Sequence, residues 1–212
     1  MGDRPPVRVH DRAVPTVVRC PPAARERALE TVLAAFRTDP LLRWVWPSDE
    51  RYDGCAPGFF GTLLDGRFAG GEVWSADDGA AIAMWDPPGG LYVEPPGQCW
   101  EAVRAQHTAG ERAAWDSYHR AMSVPEGVGP HWYLGVLGTE PARQGTGLGR
   151  AVSAPILAAA DRSGLPAYLE TASEQNVTIY RRLGFEPVHD EAMPDGGPTC
   201  WLMRRDPRPV TW

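Results

Sequence analysis

The spacing of apolar positions divides the chain into short alternating segments. Residues 16–19, Thr-Val-Val-Arg, read as a first short strand. Pro21-Pro22 offers a helix start, and Ala28, Leu29, Val32, Leu33 and Phe36 then recur at helical spacing across residues 23–36. Asp39-Pro40 breaks that pattern. Residues 41–46 form a short aromatic-rich piece closed by Pro47, and 58–68 read as a second helix. Strand-like runs at 72–75 and 80–85 flank Asp77-Asp78-Gly79, a strong hairpin turn signal. Pro87-Pro88-Gly89-Gly90 ends the hairpin. Residues 98–106 and 111–122 look helical, with Thr108-Ala109-Gly110 between them, and 124–130 read as a loop.

The last third has the clearest pattern. It predicts a strand at 131–139, a helix at 147–163 stopped by Gly164 and Pro166, a strand at 167–170, a helix at 175–183 closed by Gly184, and two strands at 186–189 and 200–204. Strands alternating with helices and hairpins predict one mixed sheet in an α/β (α+β) fold. The first fifteen residues are polar and lack an apolar signal-like core, so 1–15 are expected to be a loose arm, 16–205 a single domain and 206–212 a tail.

Composition narrows the chemistry. The net charge of −6 argues against a nucleic-acid partner. All 21 basic residues counted as Lys or Arg are Arg, so a lysine base or Schiff base is impossible. Cys20, Cys55, Cys99 and Cys200 lie far apart and match no metal spacing with His, so reduced thiols in a cytoplasmic protein without a metal are expected. No apolar run approaches a membrane span, and no membrane partner is expected.

Residues 137–150, Leu-Gly-Thr-Glu-Pro-Ala-Arg-Gln-Gly-Thr-Gly-Leu-Gly-Arg, run from a strand through a Gly-rich loop into a helix N-terminus. The first amides of a helix lack internal acceptors and its dipole favours anions there. Glycines let the backbone approach a ligand, so a pyrophosphate suits this loop. A P-loop needs G-K-[ST] and is excluded by the absence of Lys. A Rossmann G-x-G-x-x-G fails in both registers, since Arg150 or Val152 stands at the third glycine position, although Glu170 ending the next strand mimics the ribose-binding acid. Gln144, Gly147 and Gly149 do satisfy [RQ]-x-x-G-x-[GA]. A Gly-rich turn without ligand is the plain alternative.

Downstream, residues 176–185 carry N-x-x-x-Y-x-x-x-G-F through Asn176, Tyr180, Gly184 and Phe185. Asn176 and Tyr180 are four apart and share one helix face. These two motifs together resemble the GNAT superfamily of N-acetyltransferases. Within it, residues 33–36, 72–85 and nearly all of 132–204 are most similar to the puromycin N-acetyltransferases; the similarity is weakest at 40–53 and 87–130, where the superfamily builds its acceptor pocket.

The resemblance implies a GNAT fold, with a mostly antiparallel mixed sheet splayed between its fourth and fifth strands and flanked by helices. It implies acetyl-CoA as acyl donor and an amine acceptor. Leu137, Gly138, Thr139, Arg143, Gln144, Gly145, Thr146, Gly147, Leu148, Gly149 and Arg150 would hold the cofactor, with Asn176 on its CoA arm. Tyr180 would protonate the departing thiolate, and a bulged amide at 137–139 would receive the oxyanion. Glu170, ending the strand beyond the splay, is the first candidate for removing the ammonium proton; a capping or surface carboxylate is its alternative. His131 is a weaker candidate, and His107, His119 and His189 have no distinguishing context. Trp44, Trp46, Tyr52, Phe59 and Phe60 read as core or as an acceptor pocket, and Asp39, Asp49, Glu50 and Asp53 would favour a cationic acceptor. The expected partner is a small-molecule amine. A protein or peptide acetyltransferase and a catalytically silent acetyl-CoA-binding module are the alternatives. Nothing in the pattern decides between monomer and homodimer.

Overall fold

A computed structural model describes residues 14–89 and 100–209. Most of the expected N-terminal arm, Gln98 and Cys99 of an expected helix, and the last three residues of the tail lie outside them. In chain order the elements are β1 (Val17–Arg19), α1 (Arg25–Phe36), α2 (Pro40–Val45), α3 (Asp49–Gly70), β2 (Glu72–Ala76), β3 (Ala81–Asp86) and α4 (Trp100–Ala105). Then follow α5 (Ala109–Met122), β4 (Trp132–Thr139), α6 (Leu148–Ser163), β5 (Ala167–Thr171), α7 (Glu174–Arg181), β6 (Glu186–Ala192) and β7 (Thr199–Arg205).

The seven strands form one sheet in the order β1-β2-β3-β4-β5-β7-β6. Every pair is antiparallel except β4–β5. That parallel pair is short: Trp132, Tyr133 and Leu134 lie against Ala167, Tyr168 and Leu169, and there the pairing stops. β4 continues to Thr139 and β5 to Thr171 without each other, which opens a wedge in the sheet.

Each sheet face buries its own helices. Ile82, Met84 and Val136 pack with α1 and α3, whereas Ala83, Trp85, Leu134 and Leu137 pack with α6 and α7. Leu134 and Leu137 on one face, with Val136 on the other, break the two-residue alternation of a strand. The break is a β-bulge: Met84 pairs with Val136 and Trp85 with Leu134, leaving Gly135 extra. The bulge thus falls at Gly135 and not at 137–139, where it was expected. Its cause is local. The Arg67 guanidinium occupies the space a Cβ at position 135 would need, so the strand bends around it.

Two helices depart from the sequence pattern. α3 begins at Asp49, nine residues before the expected start, and carries Pro57 in its interior. Gly54, Pro57 and Gly58 are poor helix formers, but Tyr52, Cys55, Ala56, Phe60 and Leu64 bury on one helical stripe and outweigh them. The Ser48 side chain caps the helix by accepting from the Arg51 amide. α5 absorbs Ala109 and Gly110 because Thr108 and Glu111 form a capping box ahead of them. Cys20, Cys55 and Cys200 are buried free thiols; Cys99 lies outside the described residues.

Candidate active site

The site has two parts, a glycine-rich loop at the end of β4 and a cavity lined by residues of β4 and β5. The loop leaves β4 at Thr139 and returns at the N-terminus of α6. Gly145 has φ +71° and Gly147, the N-cap of α6, φ +95°. Side chains rarely adopt these angles, and nothing lies within 4 Å of where a Cβ would stand at either position. The result is an open cradle facing helix amides that have no intrahelical acceptor. Gly149, one residue inside α6, has only Thr139 Oγ1 and Leu137 Cδ2 near its absent Cβ, at 3.7 and 3.9 Å.

The expected loop residues divide by role. Arg143 is held by Asp77 of the β2–β3 turn at 2.7 Å. Gln144 donates to the Thr139 carbonyl at 3.3 Å, and Thr146 to the Arg143 carbonyl at 2.6 Å. These bonds shape the loop. Leu148 is fully buried and anchors α6, while Arg150 is exposed. Gly138 faces away from the cradle: a Cβ there would meet Ala35 and Val32 of α1 at 3.2 and 3.5 Å. Its smallness serves packing. At Gly145 and Gly147 the backbone is left uncovered, with room beside it for an anion.

On the other side of the wedge is a cavity of about 500 Å³. Its floor is β4 and β5, through Tyr133, Gly135, Leu137, Glu170 and Thr171; its walls come from α1, α2, α3, α4 and α5; Asn176 and Tyr180 reach in from α7. Glu170 and both motif residues of α7 thus share one chamber with the end of β4. The Tyr118 hydroxyl of α5 donates to Glu170 Oε2 at 2.6 Å, and Tyr133 lines the chamber on the same carboxylate's side.

Burial governs the titration of this chamber. It raises the Glu170 carboxyl above the ordinary range, opposed by the bonds from Tyr118 and Tyr133. It likewise raises Asp39, opposed by the Leu42 and Leu41 amides that this N-cap carboxylate accepts. The Tyr180 hydroxyl is raised by burial and then by the nearby negative charge of Asp39, so it stays protonated. Buried Cys200 is pushed up to about 12 and is an inert thiol. Arg67, itself buried, is paired with Asp86 at 2.8 Å. Asp39 and Glu170 are the two carboxylates that line the chamber with it.

Several chamber residues were not singled out from sequence. Tyr118, Tyr133 and Arg67 gave no motif; only the face alternation across β4 hints at Tyr133. His119, unremarkable in sequence, lines the chamber against Trp115. His131 stays outside, bonded to the Gly129 carbonyl at 2.9 Å. The aromatic cluster is split. Phe59 and Phe60 line the chamber, Trp46 and Tyr52 are core, and Trp44 packs under Gly197. Among the loop acids only Asp39 reaches the chamber; Asp49 and Asp53 pair with Arg43 and Arg37 at the surface.

No family profile matches the chain. An uncharacterized N-acetyltransferase of Schizosaccharomyces pombe is 24% identical over 172 residues, which are 76% of this chain and 70% of that protein. A mycothiol acetyltransferase of Streptomyces avermitilis is 31% identical over 124 residues, 55% of this chain; the chain spans only 33% of its length. Among solved structures, a histone acetyltransferase HPA2 and related acetyltransferase from Corynebacterium glutamicum superposes with a TM-score of 0.66 at 24% identity, covering 93% of this chain and 99% of that one. The fold is the GNAT fold. Fold and sequence relatives together place the chain in the acyltransferase class. No helix among the described residues is long and apolar enough to cross a membrane.

Proposed function

We propose that the chain is an acetyl-CoA-dependent N-acetyltransferase that acetylates a primary amine of a small molecule by direct attack in a ternary complex. The observation that carries this reading is the single chamber lined by a buried carboxylate, Glu170, and a protonated tyrosine, Tyr180, together with Leu137 of the strand that runs on into the glycine loop. Acetyl-CoA, when bound, supplies the activated acetyl group. The amides and open Cβ positions of 145–149 would hold its pyrophosphate, and Asn176 faces its path into the chamber.

The remaining work belongs to the chain. An acceptor amine arrives as an ammonium and must lose a proton before its nitrogen can attack. Glu170 is suited to take it, because its raised affinity for protons brings it closer to the amine's own. Tyr118 orients the carboxylate. Beyond Leu134, β4 has no β5 partner, so its backbone on that edge is available to a developing oxyanion. Tyr180 keeps its proton for the leaving sulfur. The walls of five helices around the chamber favour a small acceptor over a peptide, which needs an open groove. The resemblance of 132–204 to puromycin N-acetyltransferases makes an antibiotic-like amine a member of the class to test. The test is CoA release from acetyl-CoA with a panel of amines, puromycin included. Release with peptides and with no small amine would overturn the reading.

A further inference from the structure

Arg67, Asp39 and Glu170 bring one guanidinium and two carboxylates into the chamber. The guanidinium is answered by Asp86, which is not part of the lining. Neither lining carboxylate has an ion-pair partner among the described residues, although the nearby acids Asp49 and Asp53 both do. Unpaired acids away from bulk water are costly, so a chamber that keeps two of them calls for cations.

In the proposed reaction Glu170 takes the ammonium proton, and Asp39 has no task. Asp39 is the N-cap of α2, and both cap bonds fall on one oxygen: Oδ1 accepts from the Leu41 and Leu42 amides at 3.0 and 3.1 Å. Oδ2 has no partner among the described residues, and it is not sealed from solvent as the unpartnered indole nitrogens of Trp46 and Trp115 are. Capping does not require the charge, since asparagine or serine caps as well. The Tyr180 side chain is only 8% exposed, and its hydroxyl is likewise unpartnered and unsealed. A free carboxylate oxygen and a free hydroxyl thus line one chamber. They are near enough for the charge of Asp39 to raise the hydroxyl's pKa, and the Cys200 thiol feels both Asp39 and Glu170. Much of the remaining lining is apolar, through Phe36, Leu42, Phe60 and Leu63.

We infer that Asp39 holds a second cationic group of the acceptor. The preferred acceptor is then a diamine with an apolar spine, one end at Glu170 for acetylation and the other on Asp39 Oδ2. An ammonium there also offsets the negative charge that opposes ionisation of Tyr180, which eases the departure of its proton. The reacting end rests on the acetyltransferase reading, but the Asp39 subsite is a binding property and is tested as one. The probes are α,ω-diaminoalkanes of increasing length, each paired with the n-alkylamine of the same length, titrated calorimetrically into the protein in excess CoA. At a matching length the wild-type chain should bind the diamine about tenfold tighter or more than its monoamine, the worth of a hydrogen bond to a charged group. Asp39→Asn keeps the cap and removes the charge, so it should stay folded and bind the two alike. Independently of the variant, the Asp39 carboxyl carbon resonance of the wild-type chain should shift with that diamine and not with the monoamine. The absence of any length at which the diamine is preferred, a preference retained by Asp39→Asn, or an unmoved resonance would each overturn the subsite. CoA release from acetyl-CoA with the same amines separates the two proposals. A diamine preference without release leaves the subsite standing and removes the acetyltransferase reading; release without a diamine preference does the reverse.

Discussion

Tyr118 donates a 2.6 Å hydrogen bond to Glu170, tying the face of α5 to the tip of β5 across 52 positions of sequence. The bond sets the proton affinity of the carboxylate, because a donor to the ionised form holds down a pKa that burial raises.

Tyr118→Phe should therefore move the acidic limb of the pH–rate profile. A base acts only when ionised, so if Glu170 takes the amine's proton, turnover rises as pH climbs through its pKa. Losing one charge-assisted bond, about 1.5 kcal/mol, should push that limb up by roughly one pH unit. Turnover well above the limb should change little. A limb that stays in place would mean that Glu170 is not the group it reports.

Glu170→Gln should separate activity from stability. Turnover should fall by about 10²-fold or more, while acetyl-CoA affinity stays near wild type. Stability should move the other way. The folded-state pKa of Glu170 is raised above its unfolded value, so the folded chain binds the proton more tightly, and stability falls as pH rises through that window. Glutamine removes this penalty. The variant should melt higher than wild type at pH 7, and the gain should shrink toward pH 4. A variant that melts lower at neutral pH would contradict the burial argument.

Gly149→Val and Gly147→Val should differ in a telling way. Gly147 sits at φ +95°, where any side chain is strained, so its variant should lose both stability and acetyl-CoA binding. Gly149 is helical, and a Cβ there meets only ordinary contacts. Gly149→Val should stay folded yet lose the stabilisation by acetyl-CoA, which for wild type at 100 times Kd is about 2.7 kcal/mol. Thermal melts with and without acetyl-CoA measure this. A full ligand-induced shift in folded Gly149→Val would remove the loop from the cofactor site.

These contrasts show what the residue pattern could convey. The glycine loop was legible because its shape resides in backbone: glycines at fixed spacing and a helix start leave a mark in one dimension. Glu170 and Tyr180 were legible because each ends or faces a short element of clear period. Tyr118, Tyr133 and Arg67 were not, since the chamber brings them together from α5, β4 and α3. Position 135 illustrates the limit. A lone glycine in a strand is compatible with a bulge, but placing the bulge there requires knowing that the Arg67 guanidinium crosses it. The length of α3 was hidden for the opposite reason, because tertiary burial overrode the local preferences of Gly54 and Pro57.

Asp161→Ala should expose the mechanical tie at the far end of α6. Arg205 is 3% exposed, bonds both Asp161 oxygens at 2.8 Å, and donates to the Leu183 carbonyl at 3.1 Å. Removing the acid leaves a buried guanidinium without its counter-charge, which costs about 3–5 kcal/mol. For a chain of this size that is a fall in Tm of roughly 6–20 °C. Burial alone would raise the Asp161 pKa, but the bonds from Arg205 and the Arg208 amide win and lower it. The pair's contribution is thus present above the unfolded pKa and is lost as pH falls through the folded value. Below that value wild type and variant should converge in Tm.

Tyr180→Phe isolates the chemistry of the leaving group. The ring packs edge-on against Phe185 at 6.1 Å, and phenylalanine keeps that contact, so the fold should hold. Only the hydroxyl facing the chamber is lost. Burial and the charge of Asp39 raise its pKa, so it remains a proton donor throughout the working range and should impose no alkaline limb of its own below about pH 10. If that proton goes to the departing thiolate, the interaction belongs to the transition state. Turnover should then fall by about 10²-fold with acceptor KM and acetyl-CoA affinity little changed. Solvent chemistry sets the smaller alternative. A thiolate leaves tolerably without a proton, so a loss of only about tenfold would assign the hydroxyl an orienting role. Steady-state kinetics with the fold checked by circular dichroism distinguishes the two, and full activity would make Tyr180 a packing residue and move the acid elsewhere in the chamber.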